Sequence, residues 1–203
     1  QFFPASDRPE LVVDLTLPQN ASIFASERAA TRLDTFLENN PDVASWSTYI
    51  GRGAIRFYLP LNVQLNNDFF SQAVVIAKNI AARERLQAML ERKLAEELPD
   101  AVSRVSPLEL GPPVGWPVQY RVSGPDLSEV RAISLQLGQI LGSDQNLRDV
   151  NFDWMEPARK VRVVIDQDQA RLLGLSSQAL SSYMNAVMTG AAITQVRDDI
   201  YLV

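Results

Sequence analysis

Two closely spaced acidic pairs, Asp166 with Asp168 and Asp198 with Asp199, are the nearest this sequence comes to paired carboxylates for acid–base work. Their settings speak for local structure instead: Asp166 opens an amphipathic run and suits a helix start, and Asp198-Asp199 suits a turn. Met184 and Met188, four residues apart, would share a helix face, but a soft-metal site draws on thiolate or imidazole partners, and the chain has no Cys and no His. The same two zeros exclude Ser–His and Cys–His nucleophiles, thiol redox chemistry and a disulfide framework. Gly51-Arg52-Gly53 and Gly111-Pro112-Pro113 lack the Gly-Lys-Ser/Thr ending that cradles a phosphate. No enzyme, no metal site and no cofactor is expected.

With 203 residues, 46% of them apolar, the chain can form one large core or two of about 100 residues each. A net charge of −5 with scattered Lys and Arg gives nucleic acid and acidic partners nothing to bind. No apolar run reaches the roughly 18–20 residues of a membrane span.

The elements read in order. Leu11 to Leu17 alternates as a half-buried strand ended by Pro18, and Asn20-Ala21-Ser22 starts a helix with Phe24, Ala29 or Ala30, Leu33, and Phe36 or Leu37 in its apolar stripe, ended by Asn39-Asn40-Pro41. Val43 to Ile50 is a second strand, and Gly51 to Gln72 a long connection carrying Arg52, Arg56, Phe57, Tyr58, Phe69 and Phe70, of the length that is functional or mobile. Ala73 to Ala77 reads as a buried strand, Arg83 to Leu98 as the clearest helix, and Val102 to Leu110 as a strand.

Gly111-Pro112-Pro113 is the strongest breaker and marks a boundary, after which the order repeats. Strands are expected at Val118 to Val122, Leu147 to Phe152, Val161 to Ile165 and Ala192 to Val196. Helices are expected from Asp126, capped with Glu129, and from Ser176 to Thr189, with a short helix between Asp166 and Gly174. The fold class is therefore α+β: two tandem ferredoxin-like βαββαβ units, each a four-stranded antiparallel sheet with both helices on one face.

That fold hosts many functions; the residue order is more specific. The run Val163-Val164-Ile165-Asp166-Gln167-Asp168-Gln169-Ala170-Arg171-Leu172-Leu173-Gly174-Leu175-Ser176, with Gly190-Ala191-Ala192-Ile193-Thr194 after the next helix, resembles the V-D-x-x-x-A-x-x-L-G-(V/L)-(S/T) segment and the following strand start of resistance, nodulation and division (RND) efflux transporters. Phe3-Pro4, Leu17-Pro18-x-x-Ala21-Ser22, Gly111-Pro112-Pro113-Val114-Gly115-Trp116-Pro117-Val118 and Arg197-Asp198 are collinear with the hydrophobe- and amphiphile-efflux (AcrB-like) branch of that family. The resemblance covers nearly the whole chain.

It implies an excised second periplasmic loop holding two carboxy-terminal porter subdomains: residues 1–110, and residues 113–203, the latter incomplete where the family inserts a docking subdomain. It further implies the periplasmic portion of a bacterial inner-membrane, proton-driven multidrug antiporter. That pump is a homotrimer working with a periplasmic adaptor and an outer-membrane channel, and exports hydrophobic or amphiphilic small molecules. The membrane is reached only through transmembrane helices outside this chain, which also carry the proton relay. The connection from Gly51 to Gln72 takes the place of the family's switch loop without matching it residue by residue.

By position on the family's cleft-facing strands, the resemblance nominates Val12, Asp14, Val74, Trp116, Val118, Tyr120 and Asn151 as substrate-binding; Phe57 and Tyr58 join them by composition. Ordinary packing also explains Val12, Val74 and Val118, a solvated strand edge also explains Asp14, and a loop tucking its own aromatics against the sheet also explains Phe57, Tyr58, Phe69 and Phe70. Trp116 sits beside the Gly-Pro-Pro breaker, which favours the cleft. The alternative function is a tandem ferredoxin-like small-ligand-binding or sensing module. The full-length gene separates the two: a transmembrane helix ending just before Gln1 and a hydrophilic continuation past Val203 are expected, and a reading frame starting near Gln1 or stopping near Val203 would overturn the transporter reading.

Overall fold

The computed structural model describes residues 6–112, 115–154, 157–198 and 201–202. The chain divides into two compact units, Gln1–Ala158 and Arg159–Val203.

The first unit runs β1 (Glu10–Thr16), α1 (Ile23–Leu37), β2 (Val43–Ile50), β3 (Phe70–Ala77), α2 (Ile80–Glu97), β4 (Val102–Pro107) and α3 (Leu127–Gly142). Its first six elements form an antiparallel sheet in the order β2-β3-β1-β4 with α1 and α2 packed on one face, the ferredoxin-like arrangement. Alternation on β1 decides which face is which. Leu11, Val13 and Leu15 pack with Ala29, Leu33, Leu37, Leu86, Leu90 and Leu94 of the two helices, while Val12, Asp14 and Thr16 point the other way.

Both helices start at side-chain caps. Ser22 Oγ accepts from the Ala25 amide, and Asn79 Oδ1 accepts from the Ala82 amide at 2.9 Å. The Asn79 cap starts α2 at Ile80, earlier than the apolar stripe alone suggests, and Ala82, Arg83, Leu86, Leu90 and Leu94 form its buried face. On α1 the buried face is Ser26, Ala29, Ala30, Leu33 and Leu37. Phe24, expected in that stripe, is exposed, because the helical period puts it across α1 from the buried Ser26, Ala30, Leu33 and Leu37.

The edge strand β2 has a ladder on one side only, and side chains supply the rest of its anchorage. Trp46 Nε1 and Thr48 Oγ1 both donate to Asp34 Oδ1 on α1, at 2.8 and 2.6 Å. Across the helices, Glu97 pairs with Arg32 and, at 3.3 Å, with Lys93, and both cations lie 5.8 Å from the Phe36 ring. The segment ahead of β1 is held by Arg83, whose Nη1 donates to the carbonyls of Ser6 and Arg8 at 2.6 and 2.8 Å. Arg83 is buried, and its Nε has no acceptor among the described residues.

Beyond β4, α3 begins as expected at Asp126, whose Oδ1 accepts from the amides of Ser128 and Glu129. Arg148 reaches back to Glu91 of α2 at 3.0 Å. In the second unit α4 (Gln167–Leu172) is capped by Asp166 and ends at Gly174, whose φ of +68° suits glycine, and α5 (Ser177–Thr189) is capped by Ser176. β5 (Arg197–Asp198) and β6 (Tyr201–Leu202) make a short antiparallel pair.

The strands expected at Val118–Val122, Leu147–Phe152, Val161–Ile165 and Ala192–Val196 are not strands here; only the helices of the repeat stand where its pattern puts them. A helix closes its hydrogen bonds within its own segment, whereas a strand exists only with a laddered neighbour. Val161, Val164 and Ile193 are accordingly exposed. β3, in contrast, begins at Phe70 and takes in residues assigned from sequence to the long connection. Of the expected breaker, Pro113 lies outside the described residues, as do Phe3 and Pro4. No helix among the described residues is long and apolar enough to cross a membrane.

Leu90 is fully buried between the helices and β1. Its replacement by Ala should lower unfolding free energy by about 2–5 kcal/mol, read as a lower urea midpoint with an unchanged slope.

Candidate functional site

The face of the sheet turned away from the helices carries a polar row. In register across the four strands lie Tyr49 on β2, Gln72 on β3, Asp14 on β1 and Arg104 on β4. Asp14 is thus at the centre of the sheet, which removes the solvated-edge explanation. Its Oδ1 accepts from Gln72 Nε2 at 2.7 Å. Arg104 in turn donates to the Gly115 carbonyl at 2.9 Å, pairs with Glu109 at 3.3 Å, and holds its guanidinium 5.9 Å from the Trp116 ring.

A strap, residues 51–69, crosses this face. Its base is tied by the Asn67 amide to the Gly51 carbonyl at 2.8 Å and by the Gly51 amide to the Phe70 carbonyl at 2.9 Å, with Gly51 in the left-handed region at φ +72°. Halfway along, Leu61 is buried against Val12 and Leu108, with Tyr58 packed beside them. Gly53 is required where the strap passes between Gln64 and Gln72: a Cβ there would lie 2.9 Å from Gln64 Cβ and 3.1 Å from Gln72 Oε1.

Between strap and sheet is a cavity of ≈290 Å³, lined by Asp14, Gln72, Arg104, Glu109, Tyr58 and Val12 among others. A larger open groove of ≈990 Å³ runs between Asn20–Ser22 and residues 63–70, but it contains none of the polar row. The smaller cavity is where the chemistry collects. Burial pushes the Asp14 carboxyl above its ordinary value, against the Gln72 hydrogen bond and the Arg104 charge, which favour ionisation. Burial also pushes the Tyr58 phenol up, opposed first by its hydrogen bond to the Glu109 backbone. A buried carboxyl, a guanidinium and aromatic rings in one place can hold an amphiphile by its polar head while desolvating its apolar part.

Of the residues nominated from sequence, Val12, Asp14 and Tyr58 line this cavity, and Trp116 joins it through Arg104. Val12 both packs and lines, so its two readings merge. Val74 is on the same sheet face, directly opposite Val12. Phe57 stacks at 5.6 Å on Tyr58 with its own ring partly exposed, so the strap tucks one aromatic inward and leaves the other outside. Val118 and Tyr120 are exposed on a non-strand segment, and Asn151 donates locally to the Asp149 carbonyl at 2.7 Å; none of the three lines the cavity. Gln72, Arg104, Glu109 and Leu61 were not foreseen. The signal for the first two was present: a carboxylate in mid-strand needs donors on the strands beside it.

A ferredoxin-like α+β unit with a strapped polar face is the class this geometry defines. Residues 1–202 match the model of the AcrB/AcrD/AcrF family, and the chain belongs to that family of efflux transporters. Two solved structures share the fold. One is described as the "X-ray crystal structure of a heavy metal efflux pump, crystal form I", 18% identical with a TM-score of 0.62 over 100% of this chain. The other is its crystal form II, 17% identical with a TM-score of 0.65 over 98%. This chain spans 22% and 21% of the length of those two chains. A comparison with curated proteins gives no match.

The raised Asp14 value sets a sign for pH. The folded protein binds the Asp14 proton more tightly than the unfolded chain, so this contribution to stability is complete below the ordinary carboxyl range. It is lost as pH rises through the raised value. Asp42, held low by its hydrogen bonds to Arg85, acts oppositely and loses its contribution as pH falls. Asp14→Asn should therefore gain stability relative to the parent as pH climbs from about 4 to 7, and parallel urea midpoints for the two proteins across that range would refute the assignment.

Proposed function

We propose that this chain is the periplasmic porter portion of a proton-driven inner-membrane multidrug efflux transporter of the hydrophobe- and amphiphile-efflux branch, with residues 1–110 and 113–203 as its two porter subdomains. The cavity between strap and sheet is part of the wall of the drug-entry cleft, and hydrophobic or amphiphilic small molecules are its substrates. In the whole pump the chain works as a homotrimer with a periplasmic adaptor and an outer-membrane channel.

The observation that carries this reading is the strapped cavity itself, in a chain of the AcrB/AcrD/AcrF family. Its lining sets Val12, Leu61 and the Tyr58 ring beside Asp14, Gln72, Arg104 and Glu109, so that apolar and charged groups face one space, which suits molecules of mixed character. The donor set also favours organic substrates over a soft metal cargo. The lining offers carboxyl, amide, guanidinium and phenol groups, and the sequence contains no Cys or His.

Trp116→Ala and Tyr58→Ala in the intact pump should change resistance to bulky apolar compounds selectively. An aromatic contact worth about 0.5–1.5 kcal/mol corresponds to about a 2- to 10-fold change in affinity for those compounds. Drug-susceptibility profiles of an efflux-deficient bacterium carrying each variant measure this, and an equal loss for every compound together with a lower protein level would assign both residues to packing.

A further inference from the structure

The Gln72 side chain hydrogen-bonds the strap at one end and the polar row at the other. It is 3% exposed. Its Oε1 accepts from the Ala54 amide of the strap at 2.7 Å, and its Nε2 donates to Asp14 Oδ1 at 2.7 Å. The orientation is fixed by chemistry: a reversed amide would set its NH2 against the Ala54 N–H and its oxygen against the Asp14 oxygen, donor facing donor and acceptor facing acceptor. The other polar or charged groups that line the cavity with Asp14 are Arg104 and Ser106 from β4, Tyr58, Asn62 and Gln64 from the strap, and Glu109 after β4. Of these, Arg104 is occupied with Glu109 and the Gly115 carbonyl, so Gln72 is the donor that Asp14 has in hydrogen-bond contact.

The strap has no ladder with the sheet at Ala54, and close approach there depends on Gly53 having no side chain. We propose that Gln72 is a positioning residue that latches the strap at Ala54 to Asp14, so that this part of the strap is held down only while Asp14 offers an acceptor to Gln72. Resting on the reading of the cavity as a substrate site, the latch gives substrates a means of opening it. A ligand ammonium or N–H group that takes the Asp14 oxygen leaves Nε2 without its acceptor in a buried place, where an unpaired donor is costly. The amide then turns, and the Ala54 N–H loses its partner.

Amide hydrogen exchange on the purified chain tests the latch without any ligand, with the Val13 amide as a reporter of global opening. Gln72→Leu should speed exchange at Ala54 more than about tenfold while Val13 is unchanged; by the constant of about 1.4 kcal/mol per factor of ten, that is at least about 1.4 kcal/mol of local protection. Asp14→Leu, which removes the acceptor two bonds away from the strap, should speed Ala54 by the same mechanism, and Asp14→Asn, which keeps an acceptor oxygen, should not. Unchanged Ala54 exchange in Gln72→Leu overturns the latch, and so does Asp14→Leu behaving like Asp14→Asn. Equal acceleration of Ala54 and Val13 overturns it too, because the effect is then global. These outcomes are independent of the resistance profiles, whose failure would remove the substrate reading and leave the exchange result standing.

Discussion

β1 sets the frame for the other elements: it is laddered on both sides, to β3 and to β4, so that its backbone offers no free edge. Its side chains alternate between the two faces of the sheet, and each face meets a different cover. The helices cover one face with the Leu11, Val13 and Leu15 side of the strand. On the other face the cover is the strap, which sinks Leu61 against Val12 and leaves Asp14 to be satisfied by neighbours on the sheet. The candidate site follows from that second requirement. It exists because the middle strand carries a carboxyl where packing alone would have chosen a hydrocarbon.

The sequence pattern made the first of these faces legible and the second only in part. Alternation on β1, the apolar spacing of α2 and the capping residues Ser22, Asp126, Asp166 and Ser176 are local signals, and the elements formed where those signals lie. Asp14 stood out as an anomaly for the same local reason. What it binds was not legible, since Gln72 lies 58 residues away and meets it only through strand register. Nor was Leu61, one leucine in a segment whose period belongs to neither helix nor strand. The second half shows the converse: its helices, closed by short-range bonds, appear, while its four expected strands, which depend on distant partners, do not.

Family membership and site geometry bear on different parts of the functional reading. The match over residues 1–202 places the chain in the AcrB/AcrD/AcrF family. The two solved structures of similar fold are described as heavy metal efflux pumps, yet at 17–18% identity they speak to architecture alone. What the side chains add is local: around the cavity, carboxyl, amide and guanidinium groups stand beside the Tyr58 ring and the aliphatic Val12 and Leu61.

Arg83 carries a mechanical consequence. Its guanidinium grips two carbonyls of the segment ahead of β1, Ser6 and Arg8, from the first turn of α2, and it does so in a dry setting where letting go would strand a cation and two acceptors. The same short segment is stitched by the Ser6 amide to the Leu108 carbonyl and by the Pro9 carbonyl to the Ala77 amide. A pull on residues 6–9 is therefore not absorbed by slack chain. It is delivered at once to the start of α2 and to the far ends of β3 and β4, so the domain answers traction at its leading segment as a stiff lever rather than as a bead on a string.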